Sequence, residues 1–105
     1  MNIRSAINQD FERINFLSQE LGYEIETKEI VYKRLGNIIN SPIDYLMVYE
    51  DDGIIKGWIH FFIANRVASE SFVEIGGLVV NPNTRREGIG RSLVEYTKKW
   101  SITNH

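Results

Sequence analysis

The feature that most constrains the fold is the run of residues 54–64, which is apolar on both sides of an extended chain. Strand alternation divides its apolar side chains between two faces: Ile55, Ile59, Phe61 and Ile63 on one, and Ile54, Trp58 and Phe62 on the other. A strand that is apolar on both faces has to be covered on both. The sequence therefore predicts a sheet with helices packed against each side.

The other strands are predicted from the residues on either side of this run. Residues 45–50 form a second apolar run, and the Asp52-Gly53 step between the two is a strong hairpin signal. Residues 72–80 make a further strand, in which Gly76 and Gly77 indicate a bulge or a close backbone approach. A short first strand is predicted over residues 3–7.

Three segments carry apolar residues at helical spacing. The first begins near Asn8 and is stopped by Gly22; the second follows Thr27 as its N-cap and ends at residues 40–42. The third follows residues 81–84 and ends at Trp100. Their apolar stripes are Phe11, Ile14, Leu17 and Leu21, then Val31, Leu35, Ile38 and Ile39, then Ile89, Leu93, Tyr96, Thr97 and Trp100. The predicted order is β-α-α-β-β-β-α, an α/β (α+β) fold on a mixed, mostly antiparallel sheet.

Composition narrows the classes of function. The 105 residues hold 12 Lys and Arg against 14 Asp and Glu, a balance that argues against a nucleic-acid or membrane-surface binder. The absence of cysteine excludes disulfides, thiolate metal sites and a cysteine nucleophile, and two histidines argue against a zinc site. The first residues carry no apolar signal region, and the longest apolar stretch is too short to span a bilayer. We therefore expect one cytoplasmic domain over residues 1–105, without a metal.

One segment, residues 74–93, carries recognisable chemistry: a buried strand runs into a loop whose glycines open a helix. The first amides of a helix have no partner within it, and the positive end of the helix dipole lies there. Gly88 and Gly90 would let a diphosphate approach this backbone without meeting a Cβ. Positive charge around the same point comes from Arg85, Arg86 and Arg91. The pattern predicts a phosphate site.

The residues around the glycines indicate which class of phosphate-containing ligand the site would bind. A dinucleotide fingerprint needs a third glycine where Leu93 stands, and a Walker A loop needs Lys followed by Ser or Thr after its glycines. Neither pattern is present. The segment Arg85-Arg86-Glu87-Gly88-Ile89-Gly90 instead resembles the acyl-CoA signature of the GNAT N-acyltransferase superfamily: Arg or Gln, two residues, Gly, one residue, Gly or Ala. The resemblance covers essentially the whole chain, whose element order matches the first two-thirds of that fold.

The resemblance implies roles for the matching residues of a single acyl-CoA-binding domain. The pyrophosphate of acetyl-CoA would be held, beside Arg85, by the backbone N–H groups of Arg86, Glu87, Gly88, Ile89, Gly90 and Arg91. Leu78, Val79 and Val80 would pair through their backbone with the pantetheine arm, and an N–H near Leu78 or Val79 would polarise the thioester carbonyl. The primary amine of a small molecule or peptide would then attack the acetyl group, with no covalent enzyme intermediate.

A cationic acceptor has to lose a proton before or during attack, and a carboxylate can take it directly or through water. Glu74 is our candidate, because it lies four residues before Leu78, where several members of the superfamily place their base; the alternative is a strand-surface charge. His60 could serve instead, or be a satisfied sheet histidine. Glu24 and Glu26 lie where the family shapes its acceptor pocket, and they either attract a cationic amine or are solvated loop charges.

The sequence departs from the family pattern after the last helix. Typical members continue with further strands and a helix, which include the tyrosine that protonates the leaving thiolate; Tyr96 does not match that position. The alternative to an active N-acetyltransferase is therefore a truncated, weak or inactive relative that binds CoA or associates with itself. Strand 72–80 would have one neighbour only, and its open edge would carry Phe72, Ile75, Leu78 and Val80. We therefore expect a homodimer with two-fold symmetry, in which this edge or the final helix packs against a second copy.

Overall fold

The computed structural model describes residues 2–22 and 24–105, and its strands form one antiparallel sheet in the order β1-β2-β3-β4. The strands are β1 (Asn2–Ser5), β2 (Asp44–Asp51), β3 (Ile54–Ala64) and β4 (Phe72–Val80). The α-helices are α1 (Phe11–Leu17), α2 (Lys28–Ile39) and α3 (Ile89–Asn104). Short 3-10 segments lie at Asn8–Asp10, Ser18–Leu21 and Pro82–Glu87. The predicted fold class, an α/β sheet of mostly antiparallel strands, is confirmed.

Several predicted boundaries need correction. The first strand ends at Ser5 and not at Ile7, because the Ile7 amide leaves the sheet and donates to Oδ2 of Asp10 at 2.9 Å. The first helix is α-helical only over Phe11–Leu17 and has 3-10 geometry on both sides, although Gly22 does end it with a φ of +88°. The third helix continues to Asn104, because no glycine or proline stops it after Trp100.

Both faces of β3 are covered, as predicted. The α1/α2 face holds a core of Ala6, Ile14, Leu17, Leu35, Leu46, Val48, Ile55, Trp58 and Val79. The α3 face holds Met47, Tyr49, Ile59, Phe61, Ile89 and Leu93. The prediction that Ile55 shares a face with Ile59 is wrong. Tyr49 pairs with Gly57 and Glu50 with Ile55, so the bulge at Lys56 reverses the alternation.

The predicted turns and irregularities are confirmed at two places. In the hairpin between β2 and β3, Asp52 and Gly53 both have positive φ, +52° and +75°, as a type I′ turn requires. In β4, Gly77 pairs with His60 and Ile75 with Phe61, which leaves Gly76 as the extra residue of a bulge. A Cβ on Gly76 would lie 2.8 Å from Nδ1 of His60. The bulge therefore brings the β4 backbone close to that imidazole.

β4 is an edge strand, since in the described part of the chain it pairs with β3 alone. Phe72 and Ile75 on this strand are exposed, whereas Leu78 and Val80 are partly buried against the α3-face core. Within residues 2–22 and 24–105, none of the helices meets the length and hydropathy that a transmembrane segment requires.

Candidate functional site

A groove of about 450 Å³ lies where β4 ends and α3 begins. It is lined by Leu78, Val79, Val80, Gly88, Gly90 and Arg91, with Glu20 and Leu21 from the 3-10 segment after α1. The turn that shapes it is fixed by Asn81, whose amide donates to the Lys56 carbonyl at 2.8 Å and whose Oδ1 accepts from the Asn83 amide at 3.0 Å. The structure thus brings the strand and the glycine loop into one concave surface.

Gly88 leaves the start of α3 open, whereas a Cβ on Gly90 would be in van der Waals contact with Cγ2 of Val80 at 3.4 Å. Gly88 is the N-cap residue with a φ of +76°, and no atom lies within 4 Å of the place where its Cβ would be. Ser92 donates the first bond of the helix, from its amide to the Gly88 carbonyl at 3.0 Å. The amides of Ile89, Gly90 and Arg91 therefore have no acceptor within α3. They form a set of donors at the positive end of the helix dipole.

The other residues of the predicted loop divide into buried and exposed ones. The Ile89 side chain is fully buried beside Leu93 and anchors the helix start in the α3-face core, so only its backbone is available to a ligand. Arg86, Glu87 and Arg91 are exposed. The side chain of Arg85 lies outside what the structure describes.

A cavity of about 200 Å³ lies between the sheet and α1 and α2. Its lining comes from α1 and the segment after it (Ile14, Asn15, Ser18, Leu21), the following loop (Glu24, Glu26), α2 (Val31, Arg34, Leu35, Ile38) and the sheet (Leu46, Trp58, His60, Gly76, Gly77). Leu21 borders both the groove and this cavity. Gly77 of the cavity directly precedes Leu78 of the groove, so the two spaces adjoin along β4.

Two acidic residues lie at the loop side of the cavity, Glu24 and Glu26. Arg34 holds Glu26 in a two-fold ion pair, with N–O distances of 2.7 and 3.0 Å. Hydrogen bonds from Arg34 lower the pKa of Glu26. The side chain of Asn15 also binds Glu26: it donates a hydrogen bond to the backbone carbonyl of Glu26 at 2.9 Å. The loop that carries these acids is therefore tied to both α1 and α2.

His60 is held at the opposite wall by a carboxylate that no sequence motif indicated. Its Nε2 lies 2.7 Å from Oδ1 of Asp44, and Ser41 Oγ donates to Oδ2 of Asp44 at 2.7 Å. Burial on its own would raise the pKa of Asp44, but the hydrogen bonds from His60 and Ser41 outweigh it and lower that pKa. No local motif reveals the pair, because the sheet brings together residues that are far apart in sequence.

Glu74 lies opposite Phe62 in the register of β3 and β4, on the strand position where a base was predicted. Its side chain is 47% exposed, and its Oε1 lies 3.8 Å from Nη2 of Arg66. Among the described residues it is not part of the cavity lining. The described residues also contain no group of three or more His, Asp or Glu side chains that could hold a metal ion.

Comparison with solved structures finds the same fold at low sequence identity. A GNAT family acetyltransferase from Staphylococcus aureus is 24% identical, with a TM-score of 0.84 over 97% of this chain and 78% of that one. An aminoglycoside antibiotic 6'-N-acetyltransferase from Acinetobacter haemolyticus is 15% identical, with a TM-score of 0.78 over 98% of this chain and 72% of that one. An aminoglycoside N-acetyltransferase in complex with CoA is 19% identical, with a TM-score of 0.81 over 97% and 69%.

The family itself is shown by sequence. No curated protein sequence gives a significant match. Residues 5–104, however, match the model of the acetyltransferase (GNAT) family. This match covers almost the whole chain, including the strand, the glycine loop and α3. The chain therefore belongs to the GNAT family of acetyltransferases.

Proposed function

We propose that this chain is an acetyl-CoA-dependent N-acetyltransferase whose acceptor is a primary amine of a small molecule or peptide. The observation that carries the proposal is the adjacency of the groove and the cavity, which share Leu21 and meet between Gly77 and Leu78. Direct transfer requires donor and acceptor to be held side by side in one site. A donor in the groove and an amine in the cavity would satisfy this requirement.

The groove fits an acyl-CoA by its shape and by its donors. The open space beside Gly88 and the unpaired amides at the start of α3 suit a diphosphate, and Arg91 adds a positive charge. Leu78, Val79 and Val80 line the groove, where a pantetheine arm could pair with their backbone as an added strand. Acetyl-CoA, when bound, supplies an acetyl group activated as a thioester.

Residues of this chain would then stabilise the charge that develops on the thioester and accept the proton that the amine loses. An N–H of Leu78 or Val79 would stabilise the negative charge that develops on the thioester oxygen. Glu74 is the proposed carboxylate acceptor of the amine's proton. Its side chain is half-exposed and the described cavity lining does not include it, so it would act through water. Arg86, Glu87, Ile89 and Gly90 would contribute through their backbone at the loop.

The acidic side of the cavity supports a cationic acceptor. Glu24 and Glu26 line it, and Arg34 is already paired with Glu26. Two of the structural neighbours are named aminoglycoside N-acetyltransferases, so aminoglycosides and polyamines are the first acceptors to test.

We further propose that the chain forms a homodimer through the open edge of β4. Phe72 and Ile75 are exposed there, and an apolar edge strand with unpaired backbone groups favours association. Sedimentation at micromolar concentration should give the mass of a dimer, and Ile75→Lys should shift it toward the monomer. A monomeric parent protein would contradict this, and would fit an edge blunted by the Gly76 bulge. The cytoplasmic location expected from the sequence stays a prediction.

The experiment that tests the function combines binding and turnover. CoA should raise the melting temperature, because a ligand that binds only the folded state stabilises it. Thiol release from acetyl-CoA should then depend on an amine from a panel of polyamines, aminoglycosides and peptides. Stabilisation by CoA without release for any amine would favour the alternative, a CoA-binding relative without catalysis. No stabilisation at all would contradict both.

A further inference from the structure

We propose that His60, held by Asp44, directly accepts the proton that the acceptor amine loses. His60 would then be a catalytic residue and Asp44 a positioning residue. The inference rests on the proposed N-acetyltransferase function, because it assigns two side chains to that reaction. Glu74 keeps its water-mediated role and would receive the proton after His60.

The contact between the two side chains fixes which ring nitrogen carries the hydrogen. Nε2 of His60 lies 2.7 Å from Oδ1 of Asp44, and the second oxygen of that carboxylate accepts from Ser41 Oγ. An ionised carboxylate can only accept hydrogen bonds. Nε2 must therefore be the N–H donor in the neutral imidazole, and Nδ1 must carry the lone pair. Nδ1 is the nitrogen that can bind a proton.

The ring is placed where that nitrogen can meet an acceptor. His60 lines the cavity, its side chain is 22% exposed, and Nδ1 has no hydrogen-bond partner among the described residues. Nδ1 faces Gly76, where a Cβ would lie only 2.8 Å away. The Phe62 ring packs beside the imidazole, with the centroids 5.7 Å apart. Nδ1 thus lies at the bulge, one residue before the Gly77–Leu78 junction with the groove.

The charged groups around the ring come from four elements. Asp44 on β2 contacts it, and Glu74 on β4 lies beyond Phe62. Glu24 and Glu26 in the loop and Arg34 on α2 line the same cavity, with Arg34 paired to Glu26. The acidic groups of the cavity attract a cationic amine. When the imidazole of His60 is protonated, the carboxylate of Asp44 lies against it.

The proton transfer balances without any further reactant. An N–H bond of the ammonium group breaks, its electron pair stays on the amine nitrogen, and the proton binds Nδ1. The Asp44 carboxylate offsets the positive charge of the resulting imidazolium. The amine then attacks the acetyl carbon and the carbon–sulfur bond breaks, so the thiolate leaves with the electron pair. The attacking nitrogen loses its second proton to that thiolate, directly or through water, which gives the neutral amide and the free thiol. Water carries the proton from Nδ1 to the half-exposed Glu74 or to solvent, which returns the ring to its neutral form.

Kinetics of three variants test the assignment. His60→Gln should lower kcat about 100-fold, the low end for loss of a general base, and should remove the acidic limb of the pH–rate profile. Asp44→Asn should lower kcat by a smaller factor and shift that limb. His105→Gln is the matched control, because the second histidine binds Ser71 at 2.9 Å, away from the cavity, and should leave kcat and the profile unchanged. A His60→Gln protein with kcat within twofold of the parent would overturn the proposal.

Two further measurements test the role of His60 without relying on turnover: the tautomer of its imidazole and the binding of CoA. Nitrogen-15 NMR of the imidazoles in the parent protein should show Nε2 protonated and Nδ1 unprotonated in neutral His60, and Asp44→Asn should weaken that preference. Protonated Nδ1 would overturn the proposal without any assay of turnover. His60→Gln should also keep the full CoA-induced rise in melting temperature. Failure of the parent protein to bind CoA would contradict the proposed function instead, and would leave the NMR result standing.

Discussion

The groove and the cavity adjoin along β4 but are encoded in different ways. The groove is built mainly from one stretch of chain, from Leu78 to Arg91, and the contacts proposed for its ligand are backbone groups of β4 and of the start of α3. The cavity is built from side chains of α1, α2 and the sheet, from Ile14 to Gly77. The comparison teaches that a ligand bound by backbone can be recognised from a short motif. The acceptor specificity that we propose for the cavity would depend instead on how distant segments pack together.

The largest expected effect is the loss of CoA binding when the glycines of the groove are substituted. Gly88→Asp and Gly90→Asp should each abolish the CoA-induced rise in melting temperature, because they put a side chain and a negative charge at the proposed diphosphate site. Gly53→Asp is the matched control: Gly53 also has a positive φ, +75°, but lies in the β2–β3 hairpin. The control should lose about 1 kcal/mol of stability yet keep the shift. Undiminished CoA binding by either loop variant would show that the groove assignment is wrong.

The same difference between the groove and the cavity explains how much of each region could be predicted from the sequence. The period of the apolar residues predicted β3, β4 and their covering helices, and the Asp52-Gly53 step predicted the hairpin, because these signals are local. The spacing of Gly88 and Gly90 is a local signal of the same kind, and the phosphate site that it predicts stays a prediction; the structure places both glycines at the start of α3. The face of Ile55 was predicted wrongly, since the bulge at Lys56 leaves no mark in the pattern of apolar residues.

The contacts of His60 could not be predicted for a related reason. Its partner Asp44 lies on the neighbouring strand, and only the register of β2 and β3 shows that the two side chains meet. Glu20 and Leu21 were missed as groove residues because the segment after α1 approaches β4 only in the folded chain.

A second test compares the two proposed proton acceptors, His60 and Glu74. Glu74→Gln should lower kcat about tenfold or less, and most strongly at low pH, where the amine is most fully protonated. The loss should be smaller than that of His60→Gln, because Glu74 is half-exposed and water can replace it. CoA affinity should not change. An unchanged pH–rate profile would remove Glu74 from the proton path.

A smaller effect is expected from the acidic side of the cavity. Glu24→Gln should raise the KM for a polycationic acceptor about threefold, roughly what one partly screened charge contributes, and should leave the KM for acetyl-CoA unchanged. Glu29→Gln, an exposed acid on α2 outside the cavity lining, is the control and should change neither constant. If both variants raise the acceptor KM equally, the effect comes from the net charge of the protein and not from the cavity.

The smallest effect concerns stability at low pH. The pKa of Asp44 is lowered in the folded protein, so its ionised form contributes stability above the unfolded pKa of about 4, and this is lost as the pH falls through the folded pKa. As the pH falls below about 4, the Asp44→Asn variant should therefore lose less free energy of unfolding than the parent protein, by at most ~1 kcal/mol. Chemical denaturation of parent and variant between pH 2 and 7 measures this difference. A steeper curve for the variant would contradict the contact between Asp44 and His60.

We propose that a donor in the groove and an amine in the cavity react where the two spaces meet. The most direct measurement is mass spectrometry of the acceptor, with thiol release followed in the same reaction, for the parent protein and for Gly90→Asp. The parent protein should form N-acetylated amine in equal amount to the released thiol, and the variant should form neither product. Acetylated amine formed equally well by Gly90→Asp would contradict the proposal, because transfer would then not depend on the groove.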